Sequence, residues 1–339
     1  MKLKKIISGI LAAALALGLA GCGNTKMDPP AQDATFTVGI LQYDKHPSLD
    51  EISAAVQAQL AALEAEKQAQ DPGFKMEVVL KNGQGDAATI NDICTLFMAD
   101  KVDLIVPIAT PAATTVAAAT MGSSIPLVFS AVTDPVLAQL VDSMEAPGGL
   151  ITGTSDYIDT QAIFSLATTQ NPQLKKMGVV YNLSEPNSVA TVAKAKPHLE
   201  EMGIELVEST VAVEGEVQMA AHNLISEGVE AIFVPIDNTV ANAMSVLADE
   251  ACNAKIPVFT AADSLVKDGG FATSGVNYTK LGEETAKMVY DILVNGQNPA
   301  QMPVKVLEEQ QITVNATTAK ALGIDPAQVF AGMDFITVD

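Results

Sequence analysis

The chain has 339 residues, 48% of them apolar, and sets 19 basic against 40 acidic side chains for a net charge of −21. This length holds one large or two medium domains, and a mean hydropathy of +0.26 excludes a disordered chain. Every basic residue is lysine, so no arginine fork grips a phosphate or carboxylate, and the acidic balance excludes a nucleic-acid partner or an anionic lipid surface.

Met1-Lys2-Leu3-Lys4-Lys5 is a positive start, and the apolar run from Ile6 to Ala20 is too short for a secure membrane span. Together they read as the first two regions of a secretory signal. The run ends in Leu19-Ala20-Gly21-Cys22, which resembles a bacterial lipobox. That resemblance implies a signal peptide over residues 1–21 and a lipidated Cys22 that anchors the exported protein to the outer face of the cell membrane. An ordinary signal peptide with an incidental cysteine is the alternative. Residues 22–35, with Asp28-Pro29-Pro30, read as a flexible spacer. Cys94 and Cys252 lie in apolar helical patterns in different halves of the chain and read as free thiols.

From Phe36 onward, continuous Val/Ile/Leu/Phe runs alternate with alanine-rich helical patterns. Strands are expected at Phe36 to Leu41, Met76 to Leu80, Leu104 to Pro107 and Pro126 to Phe129. Helices are expected at Leu49 to Gln68, Ala87 to Ala99 and Ala112 to Met121. Strands without polar alternation suit a parallel sheet covered on both faces, with right-handed crossovers.

The pattern restarts at Lys176 to Tyr181. Strands follow at Glu205 to Glu208, Ala231 to Pro235 and Pro257 to Thr260, with helices at Val189 to Met202, Gln218 to Ser226 and Thr239 to Asn253. Val102-Asp103-Leu104-Ile105-Val106-Pro107-Ile108-Ala109-Thr110-Pro111 aligns with Val229-Glu230-Ala231-Ile232-Phe233-Val234-Pro235-Ile236-Asp237-Asn238, and Ile125-Pro126-Leu127-Val128-Phe129 with Ile256-Pro257-Val258-Phe259. Duplication explains both matches better than chance between buried strands. The fold class is therefore α/β, with two Rossmann-like lobes of parallel sheet and a hinge. A tail helix (Lys280 to Val294) and short strands near Val304 to Leu307 and Ile312 to Val314 are expected to return to the first lobe. This places lobe 1 at residues 36–152 plus 276–339 and lobe 2 at residues 153–275.

Ligands of open α/β sheets bind beyond the carboxyl ends of the strands. The repeat puts Gln42-Tyr43-Asp44, Ala109 to Ala113 and Ser130 to Pro135 there in lobe 1. Asn182 to Asn187, Asp237-Asn238-Thr239 and Ala262-Asp263-Ser264 take the equivalent places in lobe 2. Thr110 is expected as N-cap and Pro111 as first helical residue of a neutral helix N-terminus, an anion site that needs no arginine. Asp237 would set a carboxylate across the cleft. Donors on one wall and an acceptor on the other fit a zwitterion, although Thr and Asp are common caps wherever they occur.

Catalytic and metal-binding readings find no support. Gly153-Thr154-Ser155-Asp156 lacks the closing glycine of a nucleophile elbow. His46, His198 and His222 have no metal-ligand spacing, and Gly83-Gln84-Gly85-Asp86 has neither the Lys-Ser/Thr of a phosphate loop nor the third glycine of a dinucleotide turn. No enzyme activity, no cofactor and no metal are expected.

Val38-Gly39-Ile40-Leu41-Gln42 with His46-Pro47-Ser48-Leu49-Asp50 resembles the opening of the ABC-transporter substrate-binding proteins that bind tryptophan, phenylalanine or tyrosine. So do Ala109-Thr110-Pro111-Ala112, Ala131-Val132-Thr133-Asp134-Pro135-Val136, Thr152 to Asp156, Gly178 to Asn182 and Ile236 to Val240, in the right order from about Phe36 to Ile324. The resemblance implies a type I periplasmic-binding-protein fold, a monomeric clamp that presents a small ligand, an amino acid and most simply an aromatic one, to an ABC permease. It implies Thr110 and Ala112, beside Pro111, at the ligand's carboxylate. Asp237, with Asn182, Glu185 and the adjoining Asn238, would face its ammonium. Gln42, Tyr43, Ser130, Ala131 and Asn187 would line the side-chain pocket. The same clamp around another small solute (a branched-chain amino acid or a nucleoside-like compound), a surface receptor feeding a sensor, and an exported hydrolase are the alternatives.

Overall fold

The computed structural model describes residues 34–307 and 311–339. The expected signal peptide, Cys22 and the spacer up to Asp33 lie outside the described residues. The first lobe runs β1 (Thr35–Gln42), α1 (Pro47–Gln68), β2 (Lys75–Asn82), α2 (Ala87–Ala99), β3 (Leu104–Ile108), α3 (Thr110–Ala119), β4 (Leu127–Phe129) and β5 (Ile151–Ser155). The second runs α4 (Thr160–Gln170), β6 (Lys176–Asn182), α5 (Pro186–Glu201), β7 (Glu205–Val211), α6 (Val217–Ser226), β8 (Ala231–Val234), α7 (Asn238–Asn242), α8 (Met244–Asn253), β9 (Val258–Thr260), α9 (Asp263–Lys267) and β10 (Ala272–Gly275). The tail comprises α10 (Tyr278–Leu293), β11 (Lys305–Val306), β12 (Gln311–Asn315), α11 (Ala316–Leu322), α12 (Pro326–Val329) and β13 (Phe335–Val338).

The two sheets have the orders β11-β5-β4-β3-β1-β2 and β13-β12-β10-β9-β8-β6-β7. The first five strands of each lobe therefore share one order, as a duplicated unit requires, and all of them pair in parallel. β1 shows why its sequence is continuously apolar. Val38 and Ile40 enter a core with Leu49, Ile52 and Val56 of α1, while Leu41 faces Ile90, Phe97 and Val116 of α2 and α3. Gly39 is small by necessity: a Cβ there would lie 2.8 Å from the Phe97 ring. Behind the carboxyl ends of the first sheet, the hydroxyls of Ser130, Thr154 and Thr285 form a closed buried triangle of contacts at 2.8–3.3 Å. It ties α10 to β5.

The tail corrects the expected lobe division. α10 packs on α1, and β11 extends the first sheet beside β5, but β12 pairs antiparallel with β10 and β13 joins β12. Residues 311–339 thus belong to the second lobe. Phe330 is the anchor: it is 1% exposed and stacks on Phe271, which meets Phe259 edge-on at 5.6 Å. Burying one such ring contributes about 1.5–3 kcal/mol, which adds to the β12 and β13 pairing in holding the tail on lobe 2. The boundary expected at 152/153 falls inside β5, whose pairing with β4 runs through Gly153. The chain crosses between lobes after β5, after β10, and between β11 and β12.

Two local expectations also change. Thr110 is not the cap of α3; Ala109 holds that place, and the Thr110 hydroxyl instead accepts from the Thr133 main-chain N–H at 3.4 Å. The helix expected over Thr239 to Asn253 breaks at Ala243 into α7 and α8. Cys94 and Cys252 are free thiols.

Candidate ligand-binding site

The cleft lies at the point in each sheet where strand order reverses, between β1 and β3 and between β6 and β8. There the loops after neighbouring strands part and helix N-termini converge. The walls enclose a cavity with about 20 Å³ of room for the centre of a water molecule, close to the space one water needs. Lobe 1 contributes His46, Ser48, Leu49, Ala109, Thr110, Ala131 and Thr133. Lobe 2 contributes Asn187, Ile236, Asp237, Asn238, Ala241, Ala262 and Leu265. Asp156 and Tyr278 close it from the hinge side.

The lobe 1 wall is held in strained backbone. Ala109 and Ala131 have φ of +82° and +56°, a left-handed region that costs a residue with a Cβ about 1–3 kcal/mol. Both line the cavity and both use alanine, so main chain approaches the cavity closely. Ala109 donates its N–H to Ser130 O, and the Ala113 N–H returns to Ala109 O, which starts α3.

The lobe 2 wall is a carboxylate network. Asp237 caps α7 by accepting from the Val240 N–H (2.9 Å) through Oδ1, and its Oδ2 accepts from the Asn182 N–H (2.7 Å). Glu185 sits beneath. One of its oxygens accepts from Asn238 N–H and Nδ2, the other from Thr239 N–H and Oγ1, at 2.6–3.1 Å. Burial, then the neighbouring Asp237 charge, pushes the Glu185 carboxyl upward against these four donors. At the hinge, Asp156 is fully enclosed and accepts from Thr133 Oγ1 (2.9 Å) and the Tyr278 hydroxyl (3.3 Å). Burial pushes it up to about 6. No lysine lines the cavity, and burial holds His46 below the usual histidine range. The cavity therefore favours a cationic group on its lobe 2 side.

The expected site residues divide three ways. Thr110, Ala131, Asn187, Asp237 and Asn238 line the cavity, while Tyr43 and Asn182, again with Asn238, line a wider recess at its mouth. Burial, then Glu185, pushes the Tyr43 phenol up to about 12. Glu185 supports α7 from behind. Gln42, Pro111, Ala112 and Ser130 do not line the cavity. Gln42 donates to Asp44 O and Asp50, Ala112 packs into the core with Leu41, and Ser130 belongs to the hydroxyl triangle. Unforeseen in the sequence are His46, Ser48, Asp156 and Tyr278. The first two start α1 just past the β1 loop, and the others sit at crossings that only the three-dimensional path brings to the cleft.

Contacts across the cleft hold the lobes together. His46 Nε2 meets Asn238 Oδ1 at 3.1 Å, Ser48 meets Ser264 at 2.7 Å, and Asn242 Nδ2 donates to Asp44 at 2.9 Å. Near the rim, Lys267 reaches Glu51 at 3.1 Å and Lys194 reaches Asp134 at 2.9 Å. Among the described residues no cluster of side chains suits a metal, and no helix is long and apolar enough to cross a membrane.

Two like lobes, three crossings and a polar cavity between facing helix N-termini define a hinged solute-binding clamp of the type I periplasmic-binding-protein architecture. The chain belongs to the ABC transporter substrate binding protein family, whose model matches residues 37–330. It is 35% identical over 337 residues to a tyrosine-binding protein of Clostridioides difficile, covering 95% of this chain and 93% of that one. Among solved structures, an ABC domain from Streptococcus pneumonia in complex with L-Trp shares 32% identity at a TM-score of 0.79, covering 90% of this chain and all of that one. A ligand-free, open substrate binding protein with adhesive properties from Clostridium difficile shares 34% identity over 90% of this chain and 99% of that one, at a TM-score of 0.68. The TM-score is higher to the L-Trp complex than to the ligand-free, open structure.

Proposed function

We propose that this protein captures a free amino acid with an aromatic side chain outside the cell membrane, tethered there through Cys22, and delivers it to an ABC permease. The observation that carries the reading is the asymmetry of the cleft. Asp237, with no lysine near it in the lining, faces the neutral N-terminus of α3 beside Thr110. A carboxylate on one wall suits the ammonium of a zwitterion. Helix N–H groups and a threonine hydroxyl on the other suit its carboxylate without a formal positive charge. The ligands of the relatives, tyrosine and L-Trp, support an aromatic side chain. Leu49, Leu265, Ile236 and the alanines of the lining supply apolar surface for a ring. Because the enclosed space admits little more than a water, an amino acid enters only when the lobes part and is held when they close.

The test is thermal unfolding of the lipid-free chain beginning after Cys22, stripped of bound solute, against each proteinogenic amino acid. Ligand at a hundred times Kd stabilises by about 2.7 kcal/mol. Shifts confined to Tyr, Trp and Phe support the reading. Shifts with aliphatic amino acids alone keep the clamp and remove the aromatic assignment, and no shift with any of them overturns it. Anchoring is tested separately: Cys22→Ala should release the full-length protein from membranes of the expressing cell.

A further inference from the structure

Two buried acceptors in the cavity wall have no protein partner, His46 Nδ1 and Asn187 Oδ1. Each is fixed as an acceptor by what surrounds it. Asn187 spends its Nδ2 on Ile236 O at 2.8 Å, which leaves the amide oxygen unpaired. For His46 the logic starts at Glu185, whose oxygens only accept. Glu185 takes the Asn238 Nδ2 group at 2.6 Å, so Asn238 turns its Oδ1 toward His46, and at 3.1 Å that oxygen needs a proton on Nε2. The ring is 5% exposed, and burial keeps it neutral. A neutral imidazole protonated on Nε2 carries a bare lone pair on Nδ1. Buried acceptors without donors are costly, and they persist at sites completed by something else.

Building on the amino-acid reading above, we propose that His46 is a ligand-contacting hydrogen-bond acceptor, and that Asn238 and Glu185 are positioning residues that set its tautomer. The ligand must present a donor to Nδ1, either its α-ammonium or a side-chain hydroxyl or ring N–H. With Asn187 Oδ1 and Asp237 on the opposite wall, the cleft then receives the donor-bearing end of its ligand from both lobes. Closure thus becomes dependent on the ligand's donors.

His46→Gln separates this role from the contact between lobes. The glutamine amide N–H replaces Nε2–H toward Asn238, while no atom takes the place of Nδ1. Calorimetric titration of wild type and variant with L-Tyr, L-Trp and L-Phe should show binding weakened about tenfold or more in the variant, the cost of one unpaired donor. Equal loss for all three assigns the α-ammonium to Nδ1. Loss for Tyr or Trp but not Phe assigns the side chain. Unchanged affinity for all three means that Nδ1 meets only water and overturns the proposal. Wild type that binds none of the three instead overturns the amino-acid reading itself.

The tautomer is read independently of binding. With only three histidines in the chain, ¹⁵N-histidine NMR of the ligand-free protein should show His46 protonated on Nε2. The Nδ1 resonance should move on ligand addition, and Glu185→Gln should shift protonation toward Nδ1. A wild-type ring already protonated on Nδ1 overturns the assignment even if His46→Gln binds weakly.

Discussion

The Asn182 main-chain N–H donates to Asp237 Oδ2 at 2.7 Å, fastening the end of β6 to the first turn of α7. Asp237 is therefore both the expected ammonium partner and a structural cap, and its removal has two separable consequences. Asp237→Ala loses the cap on Val240 and leaves the Asn182 N–H unpaired, together about 2–4 kcal/mol of stability. Asp237→Asn keeps an oxygen for the cap, removes the charge and sets its Nδ2 where Oδ2 accepted from the Asn182 N–H, so it loses one of the two hydrogen bonds rather than both. Urea unfolding should show the larger loss for Ala. Calorimetry on folded protein should show amino-acid binding weakened about 10–100-fold in both variants, the worth of a charged hydrogen bond. Full affinity in Asp237→Asn would remove the ammonium assignment.

Asp156 gives the protein a pH dependence of known sign. Its folded pKa of about 6 lies above the ordinary aspartate value, so the folded state binds this proton more tightly than the unfolded chain. The stability it contributes is fully present below about pH 4, is lost as pH rises toward 6, and is flat above that. Two units correspond to about 3 kcal/mol. Glu185 and Asp263 are pushed the same way, chiefly by burial, and steepen the decline. Asp156→Asn should melt at a higher temperature than wild type at pH 7.5, and the gap should close by pH 4. A gap that is constant across that range would contradict the buried charge.

Much of this fold is legible in the sequence because its central strands β3, β4, β8 and β9 are buried on both faces and read as short continuous apolar runs between longer alanine-rich helical patterns. The repeated Val-acid-apolar-Pro run marked β3 and β8 as equivalents, and their shared place in the two sheets follows. Asp237 was readable because an N-cap aspartate after a buried strand is a local signal. His46 was not, because its partner Asn238 lies 192 residues away and a lone histidine before a proline carries no local chemistry. The tail misled for a similar reason: what assigns residues 311–339 to lobe 2 is the pairing of β12 with β10 and the stacking of Phe330 on Phe271, contacts without a spacing rule. Gln42 and Ser130 sit on the right loops but turn into the scaffold, a choice of rotamer that sequence does not encode.

The contact between α1 and α10 is set by Gly282. A Cβ there would lie 2.7 Å from the Ala55 Cβ and 2.8 Å from the Ile52 carbonyl oxygen, and a carbonyl cannot yield without moving α1. Gly282→Ala gains about 1 kcal/mol of helix propensity and loses about 1–3 kcal/mol to overpacking. The net expectation is destabilisation, seen as a lower urea midpoint with an unchanged slope. Since α1 carries Ser48 and Leu49 into the cavity, ligand affinity should fall as well. A variant as stable as wild type would mean that the helices separate freely.

Lys267 bridges the rim of the closed clamp, from Asp263 on its own helix (3.5 Å) to Glu51 on α1 (3.1 Å). The lysine and Glu51 are partly solvated, so the pair contributes at most about 1 kcal/mol, too little to alter folding measurably. Its effect falls on the balance between open and closed lobes, where the same energy changes the population ratio up to about fivefold. Glu51→Gln, which removes the bridge but leaves Lys267 beside the buried Asp263 carboxylate, should leave the melting temperature of the ligand-free protein within about a degree of wild type. Its radius of gyration by small-angle scattering should rise, and saturating ligand should return both proteins to one compact value. Affinity should fall by no more than that factor of about five, because the ligand must now supply the closing energy that the bridge provided. Identical scattering from the ligand-free forms would show that the buried contacts, His46 with Asn238 and Ser48 with Ser264, hold the lobes together without the rim.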